Sequence, residues 1–446
     1  MGALSDTIAA LATPPGRGGV AVLRLSGAHA FAIARQLTGR DPPPRRAVLC
    51  RFRDAAGQAL DQGLVLYFAA PASFTGEDVV ELHGHGSPVV CDLVLARLLE
   101  LGARLAEPGE FSLRAFLNDR LDLVQAEAIA DLVASRSEQA ARAAMRSLDG
   151  EFSRRVHALV AELTRLRIYV EAAIDFPDEE IDFLDDAPLR DGLAALQGSF
   201  AVLAASLHQG RLLAEGLTVV LAGPPNAGKS SLLNALAGAE RAIVTPQPGT
   251  TRDVIREQIL IDGMPLHVLD TAGLRDSEDP VEKEGVRRTR GELARADHAL
   301  LVVDGSLVTA DELSALRAEL PATLPHTLVF NKSDLPASPS TSAVEGLRVC
   351  ALTGDGLDSL RAALRAAAGL GEEATTTVLA RRRHLDALAR ARSHLDEGVR
   401  QLDAHRAGEL LAEELRLAQN ALGEITGKVS SDDLLGEIFA SFCIGK

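Results

Sequence analysis

Gly223-Pro224-Pro225-Asn226-Ala227-Gly228-Lys229-Ser230 fits the pattern G-x-x-x-x-G-K-[ST]. An apolar run, Leu217 to Ala222, leads into it as a strand, and Ser231-Leu232-Leu233-Asn234-Ala235-Leu236 leads out as a helix, the setting that a phosphate loop requires. Glycines there permit backbone angles that aim successive N–H groups at the β- and γ-phosphates, and the helix N-terminus adds positive potential. Lys229 supplies a mobile charge and Ser230 a hydroxyl for Mg²⁺; Asn226, Ala227, Gly228 and Ser231 complete the expected nucleotide contacts in this loop. The alternative is a glycine-rich strand-to-helix turn with no ligand, and the motifs downstream weigh against it.

Asn331-Lys332-Ser333-Asp334 follows the strand-like Leu328-Val329-Phe330, which places it on a loop at the carboxyl end of a sheet. Asp334 can accept from guanine's N1–H and exocyclic amine, whereas the unprotonated N1 of adenine would face the carboxylate with a second acceptor. The expected nucleotide is therefore GTP. Between the two loops Asp270-Thr271-Ala272-Gly273 ends a strand, with Asp270 expected to reach Mg²⁺ through water and the Gly273 N–H to face the γ-phosphate. Gly249-Thr250-Thr251-Arg252-Asp253 supplies Thr251 to complete the Mg²⁺ shell, and Ile255 to Ile261 with Met264 to Leu269 reads as a hairpin. Leu274 stands where a glutamine would orient the attacking water, so another polar group must do so and a cation must neutralise transition-state charge. Arg252 and Arg275 are candidate catalytic residues.

With 446 residues and 47% hydrophobic content the chain is expected to hold two to four globular domains. It has no signal-like N-terminus and no membrane-spanning run, and its four separated cysteines make neither a metal pattern nor a disulfide framework. A cytoplasmic protein without a membrane anchor is expected. The net charge of −16 argues against indiscriminate nucleic-acid binding while leaving room for a local basic site. Residues 1–118 alternate strand-like and helical runs, an α+β region in which Thr13 to Gly19 and His83-Gly84-His85-Gly86 read as glycine-rich loops. Ser87 and Pro88 open a helix that Gly102 ends. Residues 119–215 and 371–446 are helical, the second with a stripe at Leu385, Leu388, Leu395, Val399 and Leu402. The reading is a multidomain α/β and α protein, in which a helical domain built from two segments receives an inserted Ras-like doubly wound α/β domain at 216–370.

Gly223 to Ser231, Gly249 to Asp253, Leu274, Thr13 to Gly19, Phe74-Thr75-Gly76-Glu77-Asp78 and the terminal Phe442-Cys443-Ile444-Gly445-Lys446 together resemble the tRNA modification GTPase family MnmE (TrmE) over essentially the whole chain. The resemblance implies a potassium-activated GTPase that dimerises through its N-terminal domain. It implies work with the flavoprotein MnmG, in a heterotetramer-type complex, on the wobble uridine (position 34) of tRNA. The group installed at C5 would be aminomethyl or carboxymethylaminomethyl, drawn from a 5-formyl- or 5,10-methylene-tetrahydrofolate. By the same resemblance the K⁺ ligands fall on Asn226, Thr245, Gln247 and Thr250, and the loop Thr245, Pro246, Gln247, Pro248, Gly249 and Thr250 lines the nucleotide. The water-orienting carboxylate falls on Glu282, and the folate contacts on Arg24, Glu81, Arg120 and Lys446. Arg120 replaces the family's lysine, and Cys350-Ala351-Leu352 stands where a Ser-Ala pair usually meets guanine O6, although the Ala351 N–H can still donate.

Cys443, outside the nucleotide region and three residues from Lys446, is expected to act as a thiolate in tRNA modification and not in GTP hydrolysis. The competing class is a ribosome-assembly or regulatory GTPase switch that modifies no substrate. Such a switch would need an RNA-binding module or a second GTPase domain, in place of the N-terminal region and terminal cysteine seen here.

Overall fold

The computed structural model describes residues 6–135, 137–175, 187–238, 257–261, 264–270, 296–339, 344–368, 377–429 and 432–440, with Phe442 and Gly445. It divides into two compact units, Met1–Val133 with Met145–Phe200 and Ala387–Lys446, and Ala134–Ala144 with Ala201–Asp386.

In the first unit, strands β1 (Ile8–Leu11), β2 (Gly18–Ser26), β3 (Val48–Arg53), β4 (Ala59–Phe68), β5 (Val79–Gly86) and β6 (Arg104–Leu105) form one sheet in the order β3-β4-β5-β2-β1-β6. Period-two alternation decides its faces. Leu23 and Leu25 of β2 and Val80 and Leu82 of β5 turn inward against Ile33 and Leu37 of helix α1 (Ala30–Thr38) and Val94 and Leu98 of α2 (Pro88–Glu100). Arg24 and Glu81, the residues between, are therefore carried on the opposite face, paired across the strands in register. His83 to Gly86, expected as a loop, is strand. Glycines on both sides make the pairing possible: a Cβ at Gly63 of β4 would stand 2.0 Å from the His83 carbonyl oxygen, and one at Gly86 would stand 2.5 Å from that of Gly18. β1, a run too short to stand out in the sequence, holds its place through pairing on both edges, antiparallel to β2 and parallel to β6. Ser87 takes the N-cap position of α2, but its side chain makes no capping hydrogen bond there.

Helices α3 (Glu110–Leu117), α4 (Leu123–Ala134), α5 (Glu138–Leu148), α6 (Glu151–Asp175) and α7 (Ala187–Glu215) follow. Arg114 of α3 is 1% exposed and meets Asp6, Glu77 and Glu110, with Arg104 on the far side of Glu110. Burial works against the Glu110 carboxylate, but Arg104, the Glu107 N–H and Arg114 outweigh it and hold its pKa below the usual glutamate value.

In the second unit, β7 (Leu217–Ala222) is buried at every residue but Thr218, so it needs cover on both faces. Val219 and Leu221 pack with Leu232 and Leu236 of α8 (Lys229–Ala237), and Val220 and Ala222 pack on the other side with Leu301 and Val303. β8 (Glu257–Ile261) and β9 (Met264–Asp270) are antiparallel, with Ile261 opposite Met264. β10 (His298–Asp304), helix α9 (Ala310–Ala318), β11 (His326–Asn331), β12 (Leu347–Arg348) and α10 (Leu357–Ala367) complete the fold. The sheet order is β12-β11-β10-β7-β9-β8, all pairs parallel except β8 with β9. This is the Ras-like doubly wound arrangement, and its order reverses at β7, whose carboxyl end runs into Gly223. Thr309 and Glu312 close a capping box on α9.

The chain ends with α11 (Arg382–His405), α12 (Gly408–Thr426) and α13 (Asp432–Ala440). Leu388, Leu395 and Leu402 of the expected stripe are buried, and Phe439 and Phe442 pack with Leu123 and Ala126. No helix among the described residues is long and apolar enough to cross a membrane.

Candidate functional site

The phosphate loop spans the carboxyl end of β7 and the first turn of α8. Gly223 has φ 139° and a Cβ there would stand 2.0 Å from the Val302 carbonyl oxygen, so only glycine lets the loop leave the sheet at this point. Asn226 and Gly228 are also left-handed, with φ 64° and 87°. The Lys229 ammonium donates to the carbonyls of Gly223 (2.7 Å) and Pro224 (2.9 Å), which folds its stem over the loop. Ser230 lies in the first turn of α8, where exposed N–H groups and the helix dipole favour an anion.

The base loop follows β11, two strands from β7. Asn331 is 2% exposed; its Nδ2 donates to the Ala227 carbonyl (2.9 Å) and its Oδ1 accepts from the Ala351 N–H (3.1 Å). One amide thereby joins the phosphate loop, the base loop and the segment Cys350 to Leu352. The space opposite Gly228 is filled by the same amide, since a Cβ there would stand 2.2 Å from Asn331 Nδ2. The Cys350 thiol donates to Asp334 Oδ1 at 3.1 Å, so the departure at this position leaves the carboxylate with a side-chain partner, a thiol in place of a hydroxyl. Lys332, with φ 63°, places its ammonium 2.7 Å from Asp304 Oδ2. The tight turn behind Cys350 is set by the Cys350 N–H donating to the Asp355 carbonyl (2.8 Å) and the Gly354 N–H donating to the Cys350 carbonyl (2.9 Å). Leu352 is 88% exposed.

On the open face of the N-terminal sheet, Arg24 donates through Nε (3.1 Å) and Nη2 (2.9 Å) to Glu81 Oε1, and His83 Nε2 lies 3.2 Å from Glu81 Oε2. The guanidinium also sits 5.7 Å from the Phe74 ring centre and 5.8 Å from that of Phe111. Its Nη1 donates to the Gly445 carbonyl at 3.3 Å, which brings the C-terminal tail to this pair. The backbone at Gly445 has φ 96° and lies so close to β1 that a Cβ would stand 2.6 Å from the Leu11 carbonyl oxygen. Arg120 runs its stem past Gly76, and no described contact joins it to Arg24 or Glu81.

Asp270 ends β9 as expected. Thr245, Pro246, Gln247, Pro248, Gly249, Thr250, Thr251, Arg252, Thr271, Ala272, Gly273, Arg275, Glu282, Cys443 and Lys446 lie outside the described residues. Three partners escaped the sequence reading: Asp304 on Lys332, the Cys350 thiol on Asp334, and His83 on Glu81. The first had a legible signal, because Asp304 ends an apolar strand parallel to the one that ends in Asn331.

A doubly wound sheet that carries a phosphate loop on its central strand and an Asn-Lys-x-Asp loop two strands away defines a P-loop GTPase. Residues 7–120 match the family model for the GTP-binding protein TrmE N-terminus, and residues 123–443 match that for the MnmE helical domain. The chain is 58% identical over 450 residues to the tRNA modification GTPase MnmE of Stutzerimonas stutzeri, covering 99% of each. It is 57% identical to those of Yersinia pestis over 451 residues and Pectobacterium carotovorum over 453 residues, at the same coverage. Among solved structures it is similar to the G domain of the Thermotoga maritima FeoB iron transporter, with 24% identity over 34% of this chain and 98% of that one, at a TM-score of 0.26. Era of Aquifex aeolicus bound to GDP and AlF4⁻ is also 24% identical, over 40% of this chain and 66% of that one, at a TM-score of 0.28. Overlaps this slight do not bear on the fold. The chain belongs to the MnmE (TrmE) family of tRNA modification GTPases.

Proposed function

We propose that this chain hydrolyses GTP in a K⁺- and Mg²⁺-dependent way. With the flavoprotein MnmG it installs an aminomethyl or carboxymethylaminomethyl group at C5 of the tRNA wobble uridine, working as a cytoplasmic homodimer with domains at 1–118, 119–215 with 371–446, and 216–370. The observation that carries the reading is the Asn331 junction, which binds phosphate loop to base loop in a chain 57–58% identical to relatives named tRNA modification GTPases.

Binding needs little rearrangement in the described loops. The Lys229 ammonium, which donates to two carbonyls, would exchange them for the β- and γ-phosphates, and the α8 N-terminus takes their remaining charge. Asp334 accepts from the guanine edge, and the Ala351 N–H, which donates to Asn331 Oδ1, would share its proton with O6 as a bifurcated donor. Ser230, with Thr251, would hold Mg²⁺, and Asn226, with Thr245, Gln247 and Thr250, would hold K⁺; the left-handed turn at Asn226 suits a side-chain oxygen aimed back over the loop. The two cations would neutralise charge that builds on the phosphates. Glu282 orients the attacking water, with Arg252 and Arg275 as further cations for the transition state.

The Arg24–Glu81 pair fits a reduced pterin. Glu81 retains acceptor capacity beyond its Arg24 and His83 contacts, and Phe74 and Phe111 offer apolar rings beside it. A tetrahydrofolate held by Arg24, Glu81, Arg120 and Lys446 would supply the one-carbon unit, and Cys443, two positions before Gly445, whose carbonyl accepts from Arg24, would serve as the thiolate. The test is hydrolysis of GTP and of ATP in KCl and in NaCl at equal ionic strength. GTP in K⁺ should be fast and the other three combinations slow. Equal rates for ATP and GTP would overturn the base assignment, and equal rates in the two salts would remove the role of K⁺.

A further inference from the structure

Asp304 ends β10 directly opposite Asn331 in the parallel register, one residue before the base-loop lysine. Its Oδ1 accepts from the Ser306 N–H (3.0 Å) and hydroxyl (2.6 Å), so the carboxylate is locked by its own turn. Its Oδ2 then accepts from Lys332 Nζ at 2.7 Å. The turn is in turn fixed to the base loop, since the Gly305 N–H donates to the Asn331 carbonyl at 2.9 Å and the Ser338 N–H donates to the Gly305 carbonyl at 2.9 Å. Asp304 is 14% exposed and Lys332 36%, so the pair is more than a free surface contact on the carboxylate side only.

Three base-loop side chains thus each have a holder. Asn331 is held by Ala227 and Ala351, Asp334 by Cys350, and Lys332 by Asp304. Of the three, Lys332 has the most freedom to lose, with four rotatable carbons on a left-handed backbone. We propose that Asp304 is a positioning residue for guanine recognition, acting through Lys332: it anchors the ammonium so that the aliphatic stem forms one wall of the base cleft. This rests on the guanine reading of the site. Without the anchor the stem must be ordered by the nucleotide itself, which weakens binding and leaves the phosphate chemistry unchanged.

The test is a double-mutant cycle on the full chain, read as KM and kcat for GTP in KCl. Asp304→Asn keeps size and the Ser306 contacts and removes the charge. It should raise KM by about fivefold, the upper range for a partly exposed ion pair, with kcat unchanged. In a Lys332→Met background, where no ammonium remains to anchor, Asp304→Asn should add less than about 1.5-fold. Ser306→Ala, which removes the hydroxyl donor but keeps the backbone N–H and so loosens the carboxylate without touching its charge, should shift KM in the same direction by about twofold, and it carries the test should Asp304→Asn prove unstable. An unchanged KM, or the same rise in both backgrounds, overturns the role of Asp304. A wild-type chain that prefers GTP to ATP while the cycle is additive leaves the base reading intact and overturns this inference alone; a wild-type chain with no such preference overturns both.

Discussion

Asn331→Ala should uncouple the two halves of the nucleotide site. The substitution deletes a donor to the Ala227 carbonyl and an acceptor for the Ala351 N–H, both at good hydrogen-bond length. Because Asn331 is 2% exposed, water reaches the abandoned groups poorly. Leaving a buried group unsatisfied costs about 1–3 kcal/mol, so two such groups place the loss at roughly 2–6 kcal/mol before relaxation. If about half falls on the bound conformation, GDP affinity drops by about fivefold to 140-fold, at 1.4 kcal/mol per tenfold. The assay is titration calorimetry with GDP, alongside the melting of the nucleotide-free chain. Asn331→Asp is the informative control: it keeps an acceptor for Ala351 and sets a carboxylate against the Ala227 carbonyl, so it should bind as weakly as the alanine variant. Binding by Asn331→Ala within twofold of wild type, with unchanged melting, would refute the junction.

Cys350→Ser exchanges a weak thiol donor for a stronger hydroxyl and should tighten GDP binding slightly, whereas Cys350→Ala should weaken it by about threefold to tenfold through the loss of one bond to Asp334; equal affinities in all three chains would make the thiol a spectator. Asn226→Ala should erase the K⁺ advantage in GTP hydrolysis with little change in GTP affinity, and a K⁺/Na⁺ rate ratio equal to wild type would remove Asn226 from the ion site. The Glu110 pKa is depressed in the fold, so its contribution to stability is fully present above the ordinary glutamate value of 4.5 and is lost as pH falls from there through the depressed value. Glu110→Gln should therefore melt earlier than wild type at pH 7, with a gap that narrows in acid; a gap independent of pH would show that the ion-pair network around Arg114 does not supply it.

The parts of this molecule that local chemistry fixes were open to a reader of the sequence. Gly223 to Ser230 and Asn331 to Asp334 fall where their motifs put them, because a phosphate loop and a guanine loop each need particular residue types at consecutive positions. The alternation in β2 and β5 likewise puts Arg24 and Glu81 on one face. What depended on distant partners was not legible. His83 to Gly86 looked like a turn because glycines usually mark one, yet they serve a strand in which the Asp61 carboxylate crowds Gly84 and the Gly18 backbone crowds Gly86 too closely for a Cβ. The Cys350 thiol on Asp334 joins residues sixteen apart, and the tail's approach to Arg24 spans 421 positions; no periodicity encodes either. Arg114 is 1% exposed among the carboxylates of Asp6, Glu77 and Glu110, two of them far away in the chain, so its burial depends on partners that no local pattern reveals.

The central claim is that this chain's GTPase cycle drives wobble-uridine modification. The direct measurement is mass spectrometry of tRNA nucleosides from a bacterium lacking its own family member, complemented with this chain or with its Lys229→Ala variant. The intact chain should restore the aminomethyl or carboxymethylaminomethyl uridine, and the variant, deprived of the ammonium that now rests on Gly223 and Pro224, should not. Failure of the intact, expressed chain to restore either nucleoside, or full restoration by Lys229→Ala, would contradict it.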